Sequence, residues 1–296
     1  MRVFVTGATG FVGSAVVRGL IGAGHQVLGL TRSDTGAAAV AAMGAEPVRG
    51  TLEDTASLAR GAAAADAVVH TAFDHDFSDF GRVCALDEAA ILAMGAALAG
   101  SMRALLVTSG VGLLAQGRPA TEADRPPGPE VFPRQSEAAA AAVAALGVRA
   151  GTVRLPPTVH GLGDHAFVPQ LIALARRTGV SAMIGDGGNR WSAVHRDDAA
   201  RVFQLALTRG PEAGPFHAVA EAGVAFREIA AAIGRQLGVR VVELSPDAAA
   251  AHFGPLAMFV GWDLAVDSTR TRAALGWAPR EVGLLEDLAN PAYFAA

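Results

Sequence analysis

The sequence predicts an α/β protein built on a parallel, doubly wound sheet. Three observations carry that prediction. Strand-length apolar runs alternate with helix-length stretches from Arg2 to about residue 160. The first strand runs directly into Gly7, Gly10 and Gly13 and an apolar helix. The alternation loosens only after residue 160, which leaves room for a smaller second lobe.

Taken in order, Arg2 to Thr6 reads as a short buried strand, and Phe11 to Ala23 as a helix with Val12, Val16, Val17 and Leu20 on its apolar stripe. A strand that turns tightly into a helix aims free backbone N–H groups and the positive helix end at one point. Glycine lets that turn take positive φ and come close to a phosphate. The strand–turn–helix context makes the triplet a pyrophosphate cradle rather than an unliganded glycine turn. Gly24 closes the helix, and Gln26 to Thr31 is the second strand. Arg32 and Ser33 follow, where a dinucleotide-binding fold faces the adenosine ribose. A carboxylate there suits the 2′-hydroxyl of NAD and an arginine the 2′-phosphate of NADP, so the pair predicts NADP(H) over NAD(H). Asp34 is expected to cap the next helix, Thr35 to Met43.

Glu46 to Val48 is a third strand. Leu52 and its neighbours, Thr51 included, are expected beside the adenine. Asp66 to His70 is the fourth strand, and Thr71, Ala72 and Phe73 at its end let the chain pass close to the cofactor. His70 is expected to be packed rather than catalytic. Ser78 to Gly100 is a long helix with Phe80, Val83, Cys84, Leu86, Ile91, Met94 and Leu98 on its buried face. Arg103 to Thr108 is the fifth strand and leads into Ser109. Gln116 to Pro133 is a polar, proline-rich loop, long enough for a lid or a pocket wall. A helix over Glu137 to Leu146 and a strand over Arg149 to Leu155 complete the alternating part. Beyond it come a helix (167–177), strands at 180–184, 191–195, 216–219 and 239–244, and a helix from Asp197 or Asp198 to Leu207. An amphipathic helix over 226–237 and short helices near the end follow. Residues 1–160, completed by about 190–220, are expected to form the dinucleotide-binding part, and 161–296 a discontinuous substrate lobe.

Bulk properties narrow the function. The chain has 296 residues, half of them hydrophobic, enough for a sizeable core. A net charge of −4 with no basic cluster argues against nucleic acid. A single cysteine, Cys84, excludes an internal disulfide and suits a reducing compartment; a core role is favoured over a reactive thiol. The start leads straight into the fold, so no signal peptide is expected, and the apolar stretch 248–260 is too short and broken to span a membrane. The expectation is a cytoplasmic protein. All 24 basic residues are arginines, and Tyr293 is the one tyrosine.

The order of Gly7-x-x-Gly10-x-x-Gly13, His70-Thr-Ala72, Thr108-Ser109, Arg154-Leu-Pro-Pro-Thr-Val-His-Gly161, Ala193-Val-His-Arg-Asp-Asp-Ala199 and Leu275-Gly-Trp-Ala-Pro279 resembles the short-chain dehydrogenase/reductases in their extended, epimerase/dehydratase-like form, over nearly the whole chain. The resemblance implies a Rossmann-type seven-stranded sheet, a small C-terminal substrate lobe, and a homodimer packed through the helices from Ser78 and Glu137. It implies a cofactor contact set of Gly7, Thr9, Gly10, Phe11, Val12, Gly13, Arg32, Ser33, Thr51, Leu52, Thr71, Ala72, Phe73, Thr108, Leu155, Pro156 and Val159. The family's proton relay needs a tyrosine and, four residues later, a lysine. Here those sites hold Pro133 and Glu137, or Phe132 and Ser136 in the neighbouring register, and no lysine exists to restore the pair. The resemblance is therefore to an atypical subgroup without the dyad.

Four residues are candidates to replace the dyad. Ser109 matches the family's serine that hydrogen-bonds the substrate oxygen. Arg134 and Glu137 are three apart, so they share a helix face, as a local ion pair or directed into the vacated site. His195, with His160 and His165, falls near the expected pocket and could serve as an acid, a packed histidine being the alternative for each. No cluster has metal-ligand spacing, so no metal is expected. Losing general acid catalysis costs about 10²–10⁴-fold, while orientation contributes roughly 7–11 kcal/mol, so reduction survives without the tyrosine. The leading expectation is a reductase acting on a small apolar carbonyl, imine or activated alkene, with Phe73, Phe77, Phe167, Met183 and Trp191 lining the pocket. A sugar nucleotide fits less well, although Arg190 could meet a phosphate. The alternatives are a non-catalytic NADP(H)-binding sensor and, third, an epimerase or dehydratase.

Overall fold

The computed structural model describes residues 1–114 and 117–295; Gln116, the first residue of the expected loop, and the side chain of Phe77 lie outside the described residues. The chain runs β1 (Arg2–Thr6), α1 (Phe11–Gly22), β2 (Gln26–Thr31), α2 (Asp34–Ala42), β3 (Glu46–Arg49), α3 (Thr55–Ala63), β4 (Ala67–His70), α4 (Phe80–Leu98), β5 (Ala104–Gly110), α5 (Ser136–Ala144) and β6 (Arg149–Leu155). It continues through β7 (Thr158–His160), α6 (Phe167–Thr178), β8 (Val180–Ile184), β9 (Arg190–His195), α7 (Arg196–Arg209), β10 (Phe216–His217), β11 (Glu221–Ala225), α8 (Phe226–Leu237) and β12 (Arg240–Leu244). Four helices close it: α9 (Pro246–Phe253), α10 (Ala257–Val260), α11 (Thr269–Leu275) and α12 (Leu284–Asp287).

Seven strands form one sheet in the order β10-β6-β5-β4-β1-β2-β3, every pair parallel. Alternate side chains of each strand face opposite layers. Val3 and Val5 of β1 pack with α1, α2 and α7, whereas Phe4 packs with α3, α4 and α5. The Rossmann-type doubly wound expectation therefore holds. The chain order reverses at β1, with β2 on one side and β4 on the other. A crevice opens at such a switch point, beyond the C-terminal strand ends. A three-stranded sheet, β11-β9-β7, and the parallel pair β12–β8 lie around a separate apolar cluster centred on Trp191, Phe226 and Ile229. Among the described residues no helix is long and apolar enough to cross a membrane.

Several local expectations are corrected. Helix α3 was not anticipated; Asp54 starts it by accepting from Ser57 N at 3.0 Å. Ser33, not Asp34, caps α2 by accepting from Gly36 N at 3.0 Å, and Asp34 instead pairs with Arg49. The cap of α7 is His195 rather than an aspartate. Strand β10 stops at His217: Ala218 N still donates to Arg154 O at 3.0 Å, but the next residue of β6 in line, Pro156, has no N–H to continue the ladder. The buried face of α4 carries Asp87, with Leu86 only half-buried.

Candidate active site

The turn after β1 has the geometry of an anion cradle. Gly7 takes φ +68°, and a Cβ there would lie 2.7 Å from Ala72 N. A Cβ on Gly13 would sit 2.0 Å from Gly7 O and 2.7 Å from Thr71 Oγ1. At Gly7 and Gly13 the turn is thus pressed against the end of β4 with no room for a side chain. Gly10 is the N-cap of α1 and supplies no side-chain acceptor, unlike Ser33, Asp54 and Asp79 at the starts of α2, α3 and α4. The first N–H groups of a helix have no partner within it, so those of Phe11, Val12 and Gly13 converge on the crevice with the positive end of the helix behind them. The Arg196 guanidinium lies 4.8 Å over the Phe11 ring, and His165 meets that ring edge-on. These residues fit a diphosphate.

Beside this turn, four buried side chains form one hydrogen-bonded chain. Ala72 N donates to Thr6 Oγ1 (3.3 Å), and Thr6 Oγ1 lies 2.7 Å from His70 Nδ1. His70 Nε2 is 3.1 Å from Asp87 Oδ1, and Ser136 Oγ donates to Asp87 Oδ2 at 2.5 Å. Arg134 Nε donates to Ser136 Oγ at 3.0 Å. One assignment satisfies every link: Thr6 donates to Nδ1, and the proton of the imidazole sits on Nε2, facing the carboxylate. Burial opposes the charge on Asp87, but the hydrogen bond from His70, the positive field of Arg134 and the hydrogen bond from Ser136 outweigh it and hold the carboxyl below its ordinary value. Arg134 also donates from Nη2 to Thr108 O (3.1 Å) and stacks 4.1 Å over the Phe73 ring. Its guanidinium therefore bridges the ends of β4 and β5, where Ser109 stands, 6% exposed and aligned with Arg154 of β6.

Of the two alternatives for Arg134 and Glu137, a local ion pair between them is not formed among the described residues. Glu137 turns the other way and accepts two hydrogen bonds of 2.8 Å from Arg154, whose side chain is 2% exposed. Arg154 then reaches Asp124 O at 2.8 Å and His217 Nε2 at 3.1 Å. His217 Nδ1 donates to Asp267 O (2.7 Å), so its Nε2 is the acceptor and the ring is neutral. Glu137 is thus a joint between elements and not a pocket residue.

The remaining candidates separate. Arg32 is exposed at the end of β2, while the Ser33 hydroxyl is occupied as a cap. Thr51 Oγ1 accepts from Asp54 N, and Leu52 is half-buried against the layer of α3 and α4. Thr71 Oγ1 donates to Thr6 O and Thr108 Oγ1 to His70 O, both at 2.7 Å, which fixes the two strand ends. Leu155 O accepts from Val111 N, and Leu155 and Val159 pack on the layer containing α1. His195 Nδ1 accepts from Asp197 N at 3.3 Å, which leaves its proton on Nε2, toward Gly161. His160 is fully buried against Asp287 (2.9 Å) and is a packed histidine. Trp191 is fully buried and belongs to the core rather than a pocket, and Phe167, half-buried, packs against it. Arg190 is paired with Asp263 at 2.7 Å. Cys84 is buried, and burial pushes its thiol up to about 11.

A family model for the NAD dependent epimerase/dehydratase family matches residues 3–80. An uncharacterised protein of Schizosaccharomyces pombe is 49% identical over 99% of this chain and 100% of its own length. The 4-hydroxy-2-methyl-3-oxo-4-farnesyl-3,4-dihydroquinoline-1-oxide ketoreductase of Stigmatella aurantiaca is 30% identical over 98% of this chain and 90% of its own length. This chain belongs to the NAD-dependent epimerase/dehydratase family. Among solved structures it is similar to the dTDP-glucose 4,6-dehydratase DesIV of Streptomyces venezuelae, crystallised with NAD and TYD, at a TM-score of 0.78 and 21% identity over 99% of this chain and 96% of that one. At that identity the likeness is one of fold. Within this epimerase/dehydratase-family chain, sequence reasoning missed Asp87, Ser136 and Arg196 as site neighbours. Asp87 carried a signal: a carboxylate on the stripe of Val83, Cys84, Ala90 and Ile91 must be satisfied from across the layer. The signal for Arg196 was its place inside the 193–199 motif.

Proposed function

We propose that this protein is an NADP(H)-preferring oxidoreductase that passes hydride to a small apolar carbonyl, imine or activated alkene without a tyrosine–lysine dyad. The observation that carries the reading is the uncapped start of α1 behind a turn in which Gly7 and Gly13 leave no room for a side chain, at the switch point of the sheet. The family and its ketoreductase relative support it. Gly7, Thr9, Gly10, Phe11, Val12 and Gly13 would hold the diphosphate, Arg32 and Ser33 the 2′-phosphate, and Thr51 and Leu52 the adenine. Thr71, Ala72, Phe73, Thr108, Leu155, Pro156 and Val159 would flank the rest of the dinucleotide. The bound dinucleotide supplies a hydride. Ser109 and Arg134 offer hydrogen bonds to a substrate oxygen at the ends of β4 and β5. Residues 1–160 with 190–220 hold the cofactor in this reading, 161–296 shape the substrate side, and the protein works in the cytoplasm as a homodimer through α4 and α5.

Calorimetry with NADPH and NADH, followed by turnover with ketones, imines, quinones and enones, tests the reading. NADPH is expected to bind more tightly, and Arg32→Asp to lose most of that preference. Unchanged NADPH affinity in R32D would remove Arg32 from the 2′-phosphate site. Tight binding with no turnover on any acceptor would return the chain to a sensor role.

A further inference from the structure

Arg134 is a cation without a contacting counter-charge. Among the described residues no carboxylate lies within ion-pair distance of it, although Arg154, Arg190 and Arg201 are each paired. Among the described residues its polar and ring contacts are one hydroxyl, one carbonyl and one aromatic face, those of Ser136, Thr108 and Phe73. Nη1 donates to no acceptor among the described residues. The balancing charge, Asp87, stands one link away behind Ser136, and the charge of Glu137 is spent on Arg154. Of the other titratable neighbours, Cys84 is a neutral thiol, and partial burial, then the charges of Arg134 and His165, hold His75 below its ordinary value. Arg134 is half-buried, so a guanidinium that no carboxylate contacts presents its positive charge to an anion entering the site.

We propose that Arg134 is an oxyanion-stabilising catalytic residue, and that the site selects acceptors whose reduced form is a delocalised oxyanion: quinones and α,β-unsaturated carbonyls over isolated ketones. The inference rests on the oxidoreductase reading above. A guanidinium does not give up its proton in a protein, so it stabilises charge and does not act as an acid. An isolated ketone becomes an alkoxide that needs a proton at once. Hydride addition to a conjugated acceptor would form one C–H bond on the acceptor and move its π pair onto oxygen, the C–H bond broken and the two electrons lost being those of the reduced dinucleotide. The resulting enolate or phenolate can wait for a proton from water. Fixed donors aimed at a developing oxyanion are worth more in a dry site than in water. Ser136, Asp87 and His70 are positioning residues: they fix the plane of the guanidinium through its Nε and leave Nη1 for the substrate oxygen.

The test has a binding arm and a turnover arm. 4-Nitrophenol is titrated by absorbance with the full chain, with and without NADP⁺. Wild type is expected to bind the phenolate at least about tenfold more tightly than the phenol, so its apparent pKa falls on binding. Arg134→Gln should lose that preference, and Arg134→Lys should keep part of it. With saturating NADPH, R134Q should lose about 10²–10³-fold in kcat on quinones and enones. Ser136→Ala keeps the charge and should lower kcat with little change in KM. Absence of phenolate preference in wild type, or an R134Q that matches wild type in both arms, overturns the proposal. If no acceptor is reduced but the phenolate preference depends on Arg134, the hydride-transfer reading fails and the oxyanion site stands. If acceptors are reduced and R134Q is unaffected, the reverse holds.

Discussion

At Gly13 the backbone leaves no volume for a methyl group: the added carbon would lie 2.0 Å from a carbonyl oxygen of the same turn. Gly10 differs: outside its own chain neighbours and helix backbone, a Cβ added there would meet only Gly7 O, at 3.2 Å, among the described residues. Two alanine substitutions of equal size therefore have different consequences. Gly13→Ala is expected to destabilise the fold by about 1–3 kcal/mol through overpacking and to abolish dinucleotide binding as well. Gly10→Ala should fold with a near wild-type melting temperature and lose dinucleotide affinity, since its methyl intrudes where the phosphate would sit. Thermal unfolding and calorimetry on the two variants separate these effects. Similar loss of stability in both would mean that Gly10 serves packing and not a ligand.

Among the elements, α5 joins the site to the sheet. Ser136 on its first turn points toward Asp87 of α4, and the next residue, Glu137, points toward Arg154 of β6. Neighbouring helix positions diverge by about 100°, so one turn of helix serves two layers. Removing Glu137 leaves Arg154 charged, buried and short of its partner. Glu137→Ala is expected to cost about 3–5 kcal/mol, read from urea midpoints, and Glu137→Gln less, because an amide oxygen can still accept from Nε. A surface-like cost below about 1 kcal/mol would show that the pair is not what fixes α5. This division of labour was not legible in the sequence. Helical spacing placed Arg134 and Glu137 on one face, but α5 begins only at Ser136, so Arg134 lies outside the helix that the spacing assumed. The strands, the glycine turn and the amphipathic α8 were legible because each is decided within about ten residues by period and turn chemistry. The cap at His195 is local, accepting from Asp197 N, but histidine is not among the usual capping residues; the burial of Trp191 involves a partner more than sixty residues away, Phe259 O, and leaves no local trace.

Across the whole molecule, the line Glu137–Arg154–His217–Asp267 ties the edge of the main sheet to the C-terminal segment. The loop before α5 is fastened to the same place: Glu122 accepts from both the N and Oγ1 of Thr271 at 2.8 Å, and that hydroxyl accepts from His217 N at 2.7 Å. His217 is fully buried and must be neutral, with Nδ1 donating and Nε2 accepting from an arginine. Burial is the main reason that its pKa lies below the ordinary 6.5, and the positive field of Arg154 adds to it against Glu122 and Glu137. The sign follows from linkage: below about 6.5 the unfolded chain takes up a proton that the folded chain refuses, so stability is fully present above that pH and is lost as pH falls toward the folded value. His217→Gln presents an amide that can donate and accept in the same place but cannot titrate. Its urea stability between about pH 7 and 5 should fall less steeply than that of wild type, even though the variant starts lower. Parallel slopes would mean that Arg154 and Asp267 release the ring before it titrates. In that case the junction between the sheet and the C-terminal segment opens locally, well before the fold as a whole.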